Sequence, residues 1–152
     1  MSHEKPSRSW TAACLCFAFL TSVFLGGPLH ACKCAPPPPP LETLDNATAV
    51  FLAEVVASKP IQLEQQEWIE VTMRVSRWWK GGDAAKATVV TAASSAACGY
   101  DLRQGERYLV YAHAAGGEHP LRVSLCSRTR TETEAEASGD FASLPEGEQP
   151  AQ

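Results

Sequence analysis

Ala31-Cys32-Lys33-Cys34-Ala35-Pro36-Pro37-Pro38-Pro39-Pro40 sets two cysteines one residue apart directly ahead of a proline run. Proline fixes φ and offers no backbone donor, so Pro36 to Pro40 is expected as an extended, stiff polyproline II arm. Its orientation then depends on what Cys32 and Cys34 are bonded to.

The segment before it explains why Cys32 is singled out. Met1 to Trp10 is polar and carries Lys5 and Arg8, Thr11 to Gly26 is almost wholly apolar, and Gly27-Pro28-Leu29-His30-Ala31 breaks the run and ends on a small residue. That is the plan of a secretory signal peptide over residues 1–31, cleaved after Ala31. The apolar run is shorter than the roughly 20 residues that span a bilayer, so stable membrane insertion is not expected. The competing reading is a lipoprotein signal, with a lipid anchor on Cys32, because Leu29-His30-Ala31-Cys32 loosely matches one. His30 fits that pattern poorly. After simple cleavage the mature chain begins with a free α-amine on Cys32.

Cleavage leaves 121 of the 152 residues, the size of one domain. Cys14 and Cys16 leave with the leader, and Cys32, Cys34, Cys98 and Cys126 remain. An even count in an exported chain of this size reads as two disulfides. The leader takes two of the 13 basic and one of the 17 acidic residues, so the net charge moves from −4 to −5. An acidic chain without a basic run argues against nucleic acid as a partner, since neutralising phosphates needs clustered Lys and Arg.

Downstream, five short strands are expected. Val50 to Ala57 is rich in Val, Phe and Leu. In Glu67 to Arg77, residues Ile69, Val71, Met73 and Val75 alternate with Glu70, Thr72, Arg74 and Ser76, the period-two pattern of a strand with one buried face. Ala87 to Thr91 is a third strand, and the loop Ala92 to Ala97 delivers Cys98-Gly99-Tyr100. Tyr108 to Ala112 is a fourth, and Leu121 to Cys126 a fifth. Such a chain is mainly β and suggests a closed or nearly closed barrel, because closure removes exposed edges. Leu121, Val123 and Leu125 would share the inner face, leaving Cys126 outward, where a disulfide would hold something lying outside the barrel. The proline arm is the candidate. Ala137, Phe141 and Leu144 at i, i+4 and i+7 suggest one short helix ending before Pro145, with Gly139 speaking against it. The domain is expected over 32–145 and a disordered tail over 146–152.

A mature chain starting Cys-x-Cys-x-Pro-Pro, a Cys-Gly-Tyr after the third strand and a Leu-Cys-Ser in the fifth together resemble the amino-terminal domain of the tissue inhibitors of metalloproteinases, and more broadly the netrin-like domains. The resemblance covers residues 32 to about 128. It implies a five-stranded OB-type barrel and the disulfides Cys32–Cys98 and Cys34–Cys126, with separations of 66 and 92 residues. The family's third amino-domain disulfide and its cysteine-rich second domain have no counterpart, since no cysteine follows Cys126.

The function implied is inhibition of zinc metalloendopeptidases, with no enzymatic activity and no cofactor of the chain's own. A catalytic zinc keeps one position open, and the α-amine and carbonyl oxygen of one residue chelate such an ion and displace its water. By resemblance those atoms are the backbone N and O of Cys32, bound in trans to the protease's zinc. Deprotonating an amine of pKa about 8 near pH 7 costs on the order of 1 kcal/mol, which coordination exceeds. Lys33 would enter the pocket beyond the cleavage point, with Cys34, Ala35 and Pro36 following, and Ala96 and Ala97 would line the contact. The family carries a small or hydroxylated residue at the position of Lys33. An ammonium in an apolar pocket costs several kcal/mol unless paired or hydrated, so the resemblance points to a target with an acidic or wide pocket.

Other readings of these residues are plainer. Cys32 and Cys34 read as staples of the barrel; binding copper or zinc as thiolates, or acting as Cys–His nucleophiles, is the lesser alternative and would require them to be free. His113 and His119 read as a strand-end and a turn residue. Trp78-Trp79 reads as a cap on the barrel end. Asn46-Ala47-Thr48 matches a glycosylation acceptor. A netrin-like extracellular or cell-envelope protein-binding module without inhibitory activity is the alternative function. A monomer is expected.

Overall fold

The computed structural model describes residues 32–117, 119 and 121–151. The expected leader, residues 1–31, lies outside the described residues. The chain is mainly β. Strands β1 (Ala49–Leu63), β2 (Gln66–Lys80), β3 (Lys86–Ala92), β4 (Arg107–Ala114), β5 (Leu121–Arg122) and β6 (Arg130–Thr131) form one sheet. β1 pairs antiparallel with β2 and with β4, β2 antiparallel with β3, and β5 antiparallel with β4 and parallel with β3, so five strands form a ring. The ring is joined at β3 and β5 by the single pair Val90↔Arg122.

The hydrophobic pattern of the strands follows from what lies on each side. Phe51, Val55, Val71, Met73, Val89, Tyr108, Val110 and Val123 fill the inside of the ring. Val50, Leu109 and Tyr111, their neighbours in β1 and β4, face a second cluster with Leu44, Ala47, Ala135 and Leu144. Strands covered on both faces read as continuous apolar runs, as Val50–Ala53 and Tyr108–Ala112 do, whereas β2, covered on one face, alternates. Trp78 closes one end, 4.7 Å from the Phe51 ring, its indole N–H donating to Ala84 O at 2.8 Å. Burying an aromatic ring of this size contributes about 1.5–3 kcal/mol.

The helices differ from expectation. Pro40 does not extend the arm but opens helix α1 (Pro40–Asn46), where a proline at the first position lacks a donor the helix would not use anyway. Thr43 and Leu44 are its buried side. The expected C-terminal helix is two, α2 (Glu132–Ala137) and α3 (Asp140–Ser143), broken by Gly139 at φ +73°. Ala135, not Ala137, is the buried alanine. Thr131 and Glu134 form a capping box at the start of α2, and the Thr131 N–H donated to the Glu134 carboxylate is the main reason its pKa lies below the usual carboxylate value.

Two further expectations are corrected. The expected fifth strand over residues 121–126 survives only as Leu121–Arg122. Val123 still faces the core, but the chain then turns at Ser124–Ser127, leaving Leu125 41% exposed rather than inward. The tail expected to be disordered lies against β2: Trp78 and Glu148 exchange backbone hydrogen bonds of 2.8 and 2.7 Å, and Ala151 N–H donates to Asp83 O at 2.7 Å. These bonds complete a strand edge left open beside the Trp78 backbone. No helix among the described residues is long and apolar enough to cross a membrane.

Candidate functional site

Three segments meet at one surface: the arm from Cys32 to Pro38, the loop from Ala93 to Gly99, and the turn from Ser124 to Ser127. Two disulfides join them, Cys32–Cys98 and Cys34–Cys126, each with its Cα atoms 5.1 Å apart. The Cys98 carbonyl also accepts from Leu125 N–H at 2.9 Å, tying loop to turn without sulfur. Cys126 is outward as expected, although it sits in a turn and not on a strand.

The loop is shaped by short-range hydrogen bonds. Ser95–Ala97 is a single 3-10 turn whose Ala97 N–H donates to the Ser94 hydroxyl at 3.3 Å. Cys98 takes the left-handed conformation at φ +65°. Gly99 then passes so close to β3 that a Cβ there would lie 1.9 Å from Ala92 O. Tyr100 N–H donates to Thr91 Oγ1 at 2.8 Å and returns the chain to the ring. Ala96 and Ala97 are left exposed on the crest, beside half-buried Cys98.

On the arm, Cys32 is half-buried, and Lys33, Ala35 and Pro36 are exposed. A groove of about 380 Å³ runs beside it, lined by Ala35, Pro37, Tyr100, Leu125 and Arg128 among others. Burial pushes the Tyr100 phenol up to about 12, with the Glu134 charge adding to the effect. The sulfurs of Cys32, Cys34 and Cys126 all lie within 4.8 Å of one another. They are disulfide sulfurs, and metal binding by cysteine uses the thiolate. The cluster is therefore a double staple.

A family model described as tissue inhibitor of metalloproteinase matches residues 30–136, well over half of the chain. The chain belongs to the tissue inhibitor of metalloproteinase family. No curated protein matches it significantly. The family match ends inside α2, so α3 and the docked tail lie beyond it.

Several residues around this surface are not legible in the sequence. Asp140 is fully buried and receives the Arg128 guanidinium through two hydrogen bonds of 2.7 and 3.0 Å. Arg128 also donates to Pro38 O at 2.7 Å, holding the arm's far end. Leu125, expected on the inner face, points outward. The sequence carries no signal for the Arg128–Asp140 pairing, because the two residues belong to no common periodic element. Of the remaining candidates, exposed His113 lies one residue before the end of β4, and His119 Nδ1 lies 3.5 Å from Glu70 Oε2. Trp78 caps the ring, while Trp79 stacks outside on Phe141 at 5.9 Å.

Proposed function

We propose that the mature protein is an exported, single-domain inhibitor of zinc metalloendopeptidases that begins at Cys32 and chelates the target's zinc with the α-amine and carbonyl oxygen of that residue. In this reading residues 1–31 are a removed leader, residues 32–145 form one OB-type domain, and Lys33 to Pro36 with Ala96 and Ala97 make the protease contact. Membership of the inhibitor family and the two disulfides favour it. The observation that carries it is the pinning of Cys32: its sulfur is bonded to Cys98, and the next cysteine, Cys34, is bonded to Cys126. A disulfide closing a loop of this length constrains the unfolded chain by roughly 4 kcal/mol in the entropic model. Holding the reacting backbone in place before encounter lowers the ordering cost of binding.

The test is the intact mass and amino-terminal sequence of the exported protein, followed by assay against a panel of zinc endopeptidases. A chain starting at unmodified Cys32 that inhibits a panel member fits the proposal. An acylated Cys32 or a retained Ala31 removes the chelating amine and leaves the netrin-like binding module as the reading.

A further inference from the structure

The protein as a whole is acidic, with 17 Asp and Glu against 13 Lys and Arg. The ridge is the reverse: its segments 32–38, 93–99 and 124–127 carry Lys33 and no carboxylate, and the residues flanking its turn, 121–123 and 128–130, add Arg122, Arg128 and Arg130 and again no carboxylate. Among the described residues, the carboxylates that reach this surface from elsewhere each stand against an arginine: Asp140 through its bonds to Arg128 and its 3.5 Å approach to Arg130, Glu134 beside Arg128 and Arg130 in the same groove, and Asp101, at the edge of the loop, through its 2.9 Å pair with Arg103. Lys33 and Arg122 remain.

Among the described residues neither has a carboxylate partner. Lys33 is exposed on the arm between the two bonded cysteines. Arg122 is exposed and packs its guanidinium 5.9 Å from the Trp68 ring centroid, which fixes its place by cation–π attraction. It lines a hollow of about 250 Å³ with Ala97, Cys98, Ser124 and Cys126, on the crest itself. The carboxylate in its own row of the sheet, Glu70, is paired through Val90 and already receives Lys59 Nζ at 2.8 Å, with His119 Nδ1 3.5 Å away.

We propose that the ridge docks against a carboxylate-lined cleft of the partner protease, with Lys33 and Arg122 as the cations that select it. This rests on the inhibitor reading above and names its target class: zinc endopeptidases with Asp or Glu in and beside the pocket that receives Lys33. Complementary charge across an interface acts on encounter rate and on partner choice, and it weakens as salt screens it. An apolar pocket would instead strip water from the Lys33 ammonium and return nothing, so the same residue that recruits an acidic target rejects an ordinary one.

The experiment uses mature protein with its Cys32 amine verified by mass, one inhibited zinc endopeptidase with an acidic pocket, and that protease with the pocket carboxylate changed to its amide. Wild-type protein should bind the acidic form about tenfold or more tightly over the amide form, and Lys33→Glu should invert the preference. Arg122→Gln should slow association several-fold at low ionic strength, with the deficit vanishing at high salt. Melting temperatures of both variants report that the fold is kept. Equal inhibition of both protease forms, insensitive to Lys33→Glu, overturns the charge inference and leaves zinc chelation standing. Failure to inhibit any zinc endopeptidase despite a free Cys32 amine overturns both. Retention by a sulfated polysaccharide that depends on Lys33 and Arg122, with no charge effect on protease inhibition, also overturns it by assigning the cations to a glycan.

Discussion

Arg128 joins Pro38 of the proline arm to Asp140, the most deeply buried acid among the described residues. Its guanidinium donates to Pro38 O at 2.7 Å and, through two further nitrogens, to the fully buried carboxylate of Asp140. Asp140 also accepts from the Ser138 hydroxyl at 3.0 Å. The carboxylate raises the arginine's already high pKa, and the pair is bidentate, the geometry in which Arg–carboxylate bonds are strongest.

Removing one member of a buried pair strands the other, at a cost of about 3–5 kcal/mol. Arg128→Met should therefore lower the unfolding free energy measured by urea titration by an amount in that range and raise amide exchange at Lys33 to Ala35. Asp140→Asn should do the same to a lesser extent, since the amide still accepts a hydrogen bond. Unchanged exchange in the arm would mean that the disulfides alone hold it.

Gly99 is the point at which the loop presses on β3. A methyl group 1.9 Å from Ala92 O cannot be accommodated without moving backbone, so Gly99→Ala should destabilise the protein by roughly 1–3 kcal/mol and displace Ala96 and Ala97. Denaturant titration and chemical shifts of residues 94–98 report the two effects. Retention of both stability and loop shifts would contradict the packing described for this loop.

Three phenols titrate above their usual value of about 10: burial raises Tyr100 and Tyr111 to about 12 and Tyr108 further, the last also donating to Glu106 at 2.6 Å. Each folded pKa is above its unfolded value, so the stability these groups contribute is complete below pH 10 and is lost as pH rises through the folded values. Stability should fall steeply between about pH 10 and 12. Tyr108→Phe should flatten that slope. Phenolate absorbance against pH, alongside urea midpoints, measures it, and a flat profile over that window would refute the assignment.

What the sequence disclosed and what it withheld divide along physical lines. Local repetition was legible: the alternation of Ile69, Val71, Met73 and Val75 marks a half-covered strand, and Val71, Met73 and Val75 are buried. The cysteine pattern was legible through resemblance. Strand ends were not, because β1 and β2 run past the core as an exposed ribbon from Ser58 to Glu67, where backbone pairing continues without an apolar signal. Pro60 sits in that ribbon, where β1 pairs only with β2 and its other edge needs no donor. Helix α1 was hidden by its own first residue, since Pro40 reads equally as the end of a polyproline arm and as the start of a helix. Arg128 and Asp140 were invisible because their meeting depends on how a turn and a broken helix fold over the arm.

The central claim is that the backbone of Cys32, and no side chain, is the reactive group. The direct measurement compares the mature protein with a form carrying one extra alanine before Cys32, assayed against the same inhibited zinc endopeptidase. Both should share the two disulfides and the same melting temperature. The account predicts that the added residue, by burying the amine in a peptide bond, raises the inhibition constant about a hundredfold or more, since losing a ligand costs at least as much as losing the outer-shell support of one. Equal inhibition constants for the two forms would contradict it.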